Sequence, residues 1–452
     1  MNIKKSFFDG GNMNPKVTLL TGMDYDLERL KDEVRNYIDV VPNQKVVLKP
    51  NWVLEAHVYK EEEWLQIITH PIVIEAVLDV VLEKLQGTGE VTICDSPMPP
   101  AYFDKIVARG NLLEKIKTKQ SGSTKINIVD LRNYQNIQMS GITIREKKLA
   151  GDPLGFLTID LGDKSEFIGK LNKKYVGADL DLKQIHNLHN EDRNVYTIAK
   201  TILAADVFIN LPKLKTHKLA GLTCSLKSLV GTVTNKNALP HFTRQTADDL
   251  GDGSPTKSIE SDNDRRRVSF TLNILKYKIL LINVTYVFLK RLQWAIFGQK
   301  PVARSGGWYG NDTIWRAILD LNKILRYFDQ NGNRVDPTTK KYYTIIDGII
   351  AGDKRGPLAA DRKDCGIIIM ADNPVASDIA CAGLMGFDYT KMPTLTHAFD
   401  IKDMPLCDFS PEDVTFISND KKFDKMRAID LTREESFAFE PYPFWKGHIE
   451  KD

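Results

Sequence analysis

The sequence lacks the signatures of the commonest catalytic machineries. It has no GxxxxGK[ST] phosphate loop, no GxGxxG turn after a strand, no GxSxG elbow and no HExxH pair. These absences set aside the P-loop nucleotide hydrolases, the dinucleotide-binding dehydrogenases, the α/β-hydrolases and the zincins. Cysteine is sparse: Cys94, Cys224, Cys365, Cys381 and Cys407 stand apart, with no CxxC pair. That argues against an iron–sulfur cluster or an all-cysteine zinc site. An odd, unspaced set also argues against a secreted disulfide framework. Neither sign of charge is in excess. Lys and Arg number 62 against 59 Asp and Glu, a net charge of +3, so bulk charge gives no reason to expect nucleic-acid binding. The opening MNIKKSFFDGGNMNPK has no signal-peptide apolar core, and a cytoplasmic protein is expected. The 452 residues suffice for one large domain or for two.

What the chain does have is a local concentration of cations. Asp206 to Leu211 is a short apolar run with the character of a buried strand. It closes on Asn210 and Pro212, and Lys213, Lys215, His217 and Lys218 follow within six positions. Gly221 and Thr223 then open a segment read as an amphipathic helix carrying Lys227. A strand that stops at cations and a helix N-terminus is how an α/β protein builds an anion pocket. Lysine supplies point charge there, and His217 can move a proton at neutral pH. Lys227 sits among Leu226, Leu229 and Val230, so it either snorkels or reaches into the pocket.

The rest of the chain supplies opposing walls. Lys45 to Leu48 is a strand ending at Lys49-Pro50-Asn51, and Pro71 begins a helix in which Ile72, Val73, Ala76, Val77, Val80, Val81 and Leu85 recur at helical spacing. Val91 to Cys94 is the next strand, closing on Asp95-Ser96. Such a strand–helix–strand unit implies a parallel sheet, with Lys49, Asn51, Asp95 and Ser96 at its carboxyl edge. Another strand, Ile126 to Val129, follows. Residues 137–170 alternate like antiparallel strands, and Tyr196 to Ala205 reads as a helix. The α/β rhythm returns with strands at Tyr343 to Ile346, before Asp347, and at Gly366 to Met370, then a helix from Val375 to Met385.

Between these halves, Asn235, Lys236 and His241 precede Asp248, Asp249 and Asp252, a donor set for a divalent metal or a segment that closes over a ligand. Residues 268–297 are strongly apolar but broken by Lys276, Lys278, Lys290 and Arg291, too often for a spanning helix. They read either as a packed helical hairpin or as an interfacial helix in peripheral membrane contact. Asn311 or Asp312 suits a helix N-cap. Arg316 lies in that helix's first turn, where the dipole disfavours a cation, so it pairs with a carboxylate or contacts an anionic ligand. Gly356 allows close backbone approach after Asp347, and Asp378 is a candidate partner for a lysine.

The strings LKPNWV, CDSP, ADVFINLPKLKTHKLAGLTCSLKSLVG, NKNALPH, GGWYGNDTIWR, IIDGIIAGDKRGP and NPVASDIACAGLMGFD closely resemble the DUF362 family, in order from about residue 45 to 390. The family is named for its unknown function, so the resemblance implies a fold and motif positions rather than a reaction. Some relatives add a ferredoxin-like cysteine domain, which this chain does not match. Relatives often carry an acidic Glu-x-x-GP-like stretch where this chain has Asp353-Lys354-Arg355. A more distant likeness of layout is to the nickel-pincer lactate racemases.

These readings combine into an α/β protein of two lobes with mainly parallel sheets and a helical insertion around 268–297. Its divisions are 1–234, 235–316 and 317–452. The expected catalytic groups are Lys213, His217, Asp95 and Asp347. The expected ligand-binding groups are Lys49, Asn51, Ser96, Asn210, Lys215, Thr223, Lys227, Lys236, His241, Asn311, Asp312, Arg316, Gly356 and Asp378. The first functional expectation is an enzyme acting on a phosphorylated or carboxylated metabolite or glycan precursor. Two others stand beside it: a membrane-surface accessory protein holding an anionic head group or lipid-linked glycan, and a metal-dependent racemase-like or redox enzyme.

Overall fold

The computed structural model describes residues 15–119, 123–139, 142–177, 182–256, 285 and 305–452. One sheet organises them. Its ten strands are β1 (Lys16–Leu20), β2 (Lys45–Pro50), β3 (Glu90–Asp95), β4 (Lys125–Asp130), β5 (Val207–Leu211), β6 (Lys213–His217), β7 (Gly221–Thr223), β8 (Lys341–Arg355), β9 (Ala359–Ala371) and β10 (Thr415–Ser418). The spatial order is β10-β1-β9-β8-β5-β2-β3-β4, with β6 beside β8 and β7 beside β6. Every pairing among β8, β5, β2, β3 and β4 is parallel. The long β8–β9 hairpin is antiparallel.

The α/β class and the mainly parallel sheet are as expected. The separation into two sheets is not. β5, from the first half, pairs with β2 on one side and with β8, from the second half, on the other. The physical reason lies in β5 itself, which is buried along its whole length and so needs a neighbour on each edge as well as cover on each face. Val207, Ile209 and Leu211 face one apolar core, and Phe208 faces another. The strand at Lys341–Arg355 is also far longer than the short run seen in the sequence, because Asp347, Gly348 and Gly352 interrupt its apolar pattern without ending its pairing.

Helix α1 (Leu27–Arg35) and helix α2 (Pro71–Leu85) cover the first face. α2 has Pro71 in its first turn, and the His70 ring accepts a hydrogen bond from the Ile72 N–H at 3.1 Å. Ile74, Val77, Leu78, Val81 and Leu85 are fully buried, each stabilising by roughly 1.5–3 kcal/mol relative to exposure. The other face carries α3 (Ser225–Ser228), α4 (Ile314–Tyr327) and α5 (Pro374–Met385).

Other local expectations change. Lys213 to His217 forms a strand rather than a cationic loop, Gly221 to Thr223 is its antiparallel partner, and the helix after them is the single turn α3. Residues Val195–Ala199, read as helix, pair antiparallel with Phe156–Asp160, and only Lys200–Leu203 is helical. The antiparallel character of the segment around 137–170 is present, as Tyr134–Met139 pairs with Ile142–Lys148. Among the described residues, no helix is long and apolar enough to cross a membrane. The apolar segment 268–297, apart from Thr285, lies outside the described residues.

Candidate functional site

β2 and β5 are neighbours whose continuations leave in opposite directions, β2 through α2 to β3 and β5 into β6 beside β8. A sheet opens a crevice at such a point, at the carboxyl ends of its strands. Alternation along β6 directs Lys213, Lys215 and His217 to one face, while Leu214 joins the core beneath and Thr216 bonds the Lys354 carbonyl. Lys215 stands opposite Gly352, where a Cβ would come within 2.8 Å of the Lys215 Cβ. Glycine there makes room for the lysine.

Two of the lysines are neutralised by buried aspartates. Lys213 Nζ lies 2.8 Å from Asp347 Oδ2, both side chains being 0% exposed. The Asp347 carboxylate also accepts from the His70 N–H at 2.8 Å, the Tyr25 hydroxyl at 3.1 Å and the Ile349 N–H at 3.3 Å. Tyr25 stacks on His70 at 3.7 Å between ring centres, and Trp64 stacks on His70 at 5.4 Å. Burial pushes the Lys213 ammonium down from its usual range and Asp347 pulls it back. Burial also lowers His70 to about 4. The second pair joins Lys49 Nζ to Asp95 Oδ1 at 2.9 Å. Lys49 also donates to the Pro50 carbonyl and the Ser228 hydroxyl at 3.1 Å each, while Asp95 accepts from the Trp52 and Ser96 N–H groups at 2.7 and 2.9 Å. Gly231 closes over this pair. A Cβ on it would lie 1.9 Å from Asp95 Oδ1 and 2.6 Å from Lys49 Nζ.

Four further lysines have no acidic partner within ion-pair distance among the described residues: Lys215, Lys218, Lys227 and Lys236. Lys215 is completely buried, and its ammonium donates to the Ile67 carbonyl at 2.5 Å. Lys236, also buried, donates to the Val230 carbonyl. Lys218 and Lys227 are half-buried. Burial, then repulsion from Lys227 and Lys213, holds Lys215 far below its usual range. Burial, then Lys49 and Lys218, lowers Lys227 to about 8. Lys236 falls to about 7 through burial, with Asp95 opposing and Lys49 and Lys227 adding to the fall. Burial lowers Lys218 too. Lys227 is the shared neighbour of this group. Loss of water comes first in each of these shifts, and repulsion among the cations adds to it for Lys215, Lys227 and Lys236.

Two histidines face the same charges. His217 Nδ1 accepts from the Leu219 and Ala220 N–H groups at 3.0 and 3.3 Å, so its proton sits on Nε2. His241 Nδ1 is 2.8 Å from the Leu239 carbonyl; it must donate, which leaves Nε2 with a lone pair. Burial, then Lys227 and Lys218, holds His217 well below the usual histidine range. Burial lowers His241 to about 4, opposed by the Leu239 carbonyl and helped by Lys227, Lys236 and Lys218. Nearby, the buried Ser96 and Thr223 hydroxyls have no hydrogen-bond partner among the described residues. Thr223 is paired directly with Lys215 across β6 and β7, so the two side chains share a face. The Asn51 side chain makes no hydrogen bond among the described residues, and its N–H donates to Thr69 Oγ1 at 2.9 Å.

Other sequence candidates have different work. Asp378 does not pair with a lysine: its carboxylate accepts from the Ser225 and Leu226 N–H groups at 2.7 and 3.0 Å. It thus fills the N-terminus of α3, the place the sequence reading offers to an external anion. Burial raises it to about 7 against the pull of those N–H bonds. Asn210 donates to the Ser225 carbonyl and the Tyr342 hydroxyl, both at 3.0 Å. Asn311 caps α4 through the Thr313 and Ile314 N–H groups. Arg316 takes the carboxylate alternative, bonding Asp312 at 2.9 and 3.1 Å, and Asp312 also meets Lys170 at 2.8 Å. Gly356 lets β8 meet β6, since a Cβ there would lie 1.9 Å from the Thr216 carbonyl oxygen. Asp252 accepts from Thr243, the Asp312 N–H and Thr313. Among the described residues, no group of three or more His, Cys, Asp or Glu could hold a metal ion. Sequence reasoning missed Tyr25, Trp64, His70 and Gly231. Tyr25 and Asp347 are 322 positions apart, and no local pattern marks Tyr25.

The fold is that of an α/β protein with a cluster of buried and half-buried lysines at the carboxyl edge of a mainly parallel sheet. Residues 173–383 match the model of the DUF362 family, a domain of unknown function. That span holds β5 to β8 and the four unpaired lysines, while Lys49 and Asp95 lie before it. No curated protein matches the sequence. Two solved structures are similar at low level. One is a Thermotoga maritima protein, 9% identical with a TM-score of 0.32 over 75% of this chain and 54% of that one. The other is the lactate racemase apoprotein of Thermoanaerobacterium thermosaccharolyticum, 12% identical with a TM-score of 0.31 over 84% of this chain and 59% of that one. The chain thus spans less than two thirds of the length of either.

Proposed function

We propose that the protein is an enzyme that binds a small anionic molecule, phosphorylated or carboxylated, in the cleft at the ends of β2, β3 and β5. One observation supports this reading: Lys215, Lys218, Lys227 and Lys236 cluster at this sheet edge with no acidic partner within ion-pair distance among the described residues. An anion supplies the missing charge and restores protonation, so its binding is coupled to proton uptake. The Ser96 and Thr223 hydroxyls and the Asn51 amide give it hydrogen bonds. His217, as an N–H donor, and His241, as a proton acceptor, give it acid–base groups. The two lysine–aspartate pairs hold the strand ends in place. A metabolite or a glycan precursor bearing a phosphate or carboxylate fits this chemistry.

Titration calorimetry with inorganic phosphate and pyrophosphate tests it. One site per chain is expected, with affinity falling as salt rises and weakening at least about tenfold in Lys236→Met, the loss of one charge-assisted hydrogen bond. Equal affinity in the variant and the natural protein would remove the cleft as the anion site.

A further inference from the structure

The opposite end of the sheet carries a cavity of its own. β5 and β8 begin side by side, with Val207 opposite Lys341, whereas Lys213 faces Asp347 at the end where the lysines gather. At that beginning lies a cavity of about 270 Å³. An apolar cavity of about 150 Å³ is enough to admit benzene, so there is room here for a substituted ring. Its buried lining includes Leu325 of α4, Pro374 at the start of α5, and Leu406. The Tyr342 ring adds a wall, fixed by Phe208 at 5.7 Å between ring centres and by the Asn210 amide on its hydroxyl at 3.0 Å. Leucine, proline and a tyrosine ring are the surfaces a flat apolar body packs against.

The half-buried part of the lining is charged. Arg326, Lys340 and Lys341 bring three cations. Asp39 meets Lys341 at 2.9 Å, and Asp372 on the lining offsets a second charge, so one positive charge is in excess. α5 begins on this wall, and the positive end of its dipole adds to that excess. Its first N–H groups are held by the Asn373 side chain, so it offers a field rather than hydrogen bonds. Lys340 donates to the Ile202 and Leu203 carbonyls at 2.8 and 2.9 Å and has no carboxylate within ion-pair distance among the described residues. Burial lowers it to about 7, and an anion beside it restores its charge.

We propose that this cavity is a second binding site, for a small monocarboxylic acid whose apolar ring packs on Tyr342, Leu325 and Leu406 and whose carboxylate meets Arg326 and Lys340. The proposal goes beyond the anion reading of the lysine cluster and does not depend on it. Recognition here needs two features together. An alcohol of the same shape lacks the charge, and inorganic phosphate lacks the apolar body.

Titration calorimetry of the full chain with benzoate tests this, with benzyl alcohol and inorganic phosphate as controls. One benzoate per chain is expected, and saturating phosphate should leave its affinity unchanged. Benzyl alcohol should bind at least about tenfold more weakly, and Arg326→Met should weaken benzoate by a similar factor, each lacking a charge-assisted hydrogen bond. Thr338→Trp, at the exposed rim, should weaken benzoate by obstructing the opening. Thermal unfolding identifies a variant that fails to fold, and the other variant then decides. Absence of benzoate binding, equal affinity in the folded variants, or equal binding of benzyl alcohol would overturn the inference. Displacement of benzoate by phosphate would overturn it too, while leaving the anion reading of the lysine cluster standing.

Discussion

Two sets of lysines occupy one edge of the sheet and differ in what faces them. Lys49 and Lys213 each meet an aspartate that is itself held by backbone N–H groups, and the pairs are closed over by Gly231 in one case and by the Tyr25–His70 stack in the other. Among the described residues, Lys215, Lys218, Lys227 and Lys236 have no carboxylate within ion-pair distance, and Lys215 and Lys236 donate to carbonyl oxygens instead. The difference is whether a buried charge is compensated. A buried pair whose remaining lone pairs are satisfied offsets the loss of water around it. A surplus of buried ammonium groups has no such compensation, and the anion site proposed above rests on that difference.

The comparison breaks most visibly at Asp347. Asp347→Asn keeps the shape but leaves Lys213 as an uncompensated buried charge. Urea unfolding should show a loss of roughly 3–5 kcal/mol; a loss under about 1 kcal/mol would mean that the pair does not differ from the unpaired set. Next in size is Gly231→Ala, whose added methyl would lie inside contact distance of both members of the Lys49–Asp95 pair. Overpacking of this kind costs about 1–3 kcal/mol, and Gly231→Ser should cost at least as much. Lys215→Met probes the other set. It removes a buried ammonium and one hydrogen bond to Ile67, opposing effects that should leave stability within about 1 kcal/mol of the natural protein. A loss as large as that of Asp347→Asn would show that Lys215 belongs with the structural pairs.

Much of the fold could be read from the chain. The apolar runs at Lys45 to Leu48, Val91 to Cys94 and Asp206 to Leu211 are strands, and the spacing after Pro71 gives α2, because burial on one or both faces imposes a local period. The strand partners could not be read that way. Nothing local to Val207 or Tyr343 tells that β5 and β8 lie side by side, so one sheet read as two. At the site, the cluster at Lys213 to Lys227 was legible as charge beside a buried strand. Its division into paired and unpaired lysines was not, because the aspartates that decide it come from distant segments, Asp95 and Asp347. Asp378 shows the same limit. The helix N-terminus after Thr223 was visible, but its occupant comes from α5.

The last comparison is a slope with pH, which belongs to the unpaired set. Lys227 and Lys236 sit near 8 and 7 in the folded protein, against about 10.4 in the unfolded chain. Between those values the unfolded state binds more protons, so stability must rise with pH from about 7 towards 10. Asp378, raised to about 7, acts in the opposite sense: its folded state holds the extra proton, and its contribution is lost as pH rises from about 4 to 7. The two windows therefore meet near pH 7 without overlapping. Lys340, lowered to about 7 with its ammonium on the Ile202 and Leu203 carbonyls, adds to the upper slope from outside the cleft. Phosphate bound at the proposed site would isolate that site's share, since it would favour protonated Lys227 and Lys236. Thermal unfolding in phosphate-free buffer should show a midpoint that climbs between pH 7 and 9. Added phosphate should raise the midpoint most at pH 7 and progressively less towards pH 9. A phosphate gain that is flat across this range would place the anion away from Lys227 and Lys236.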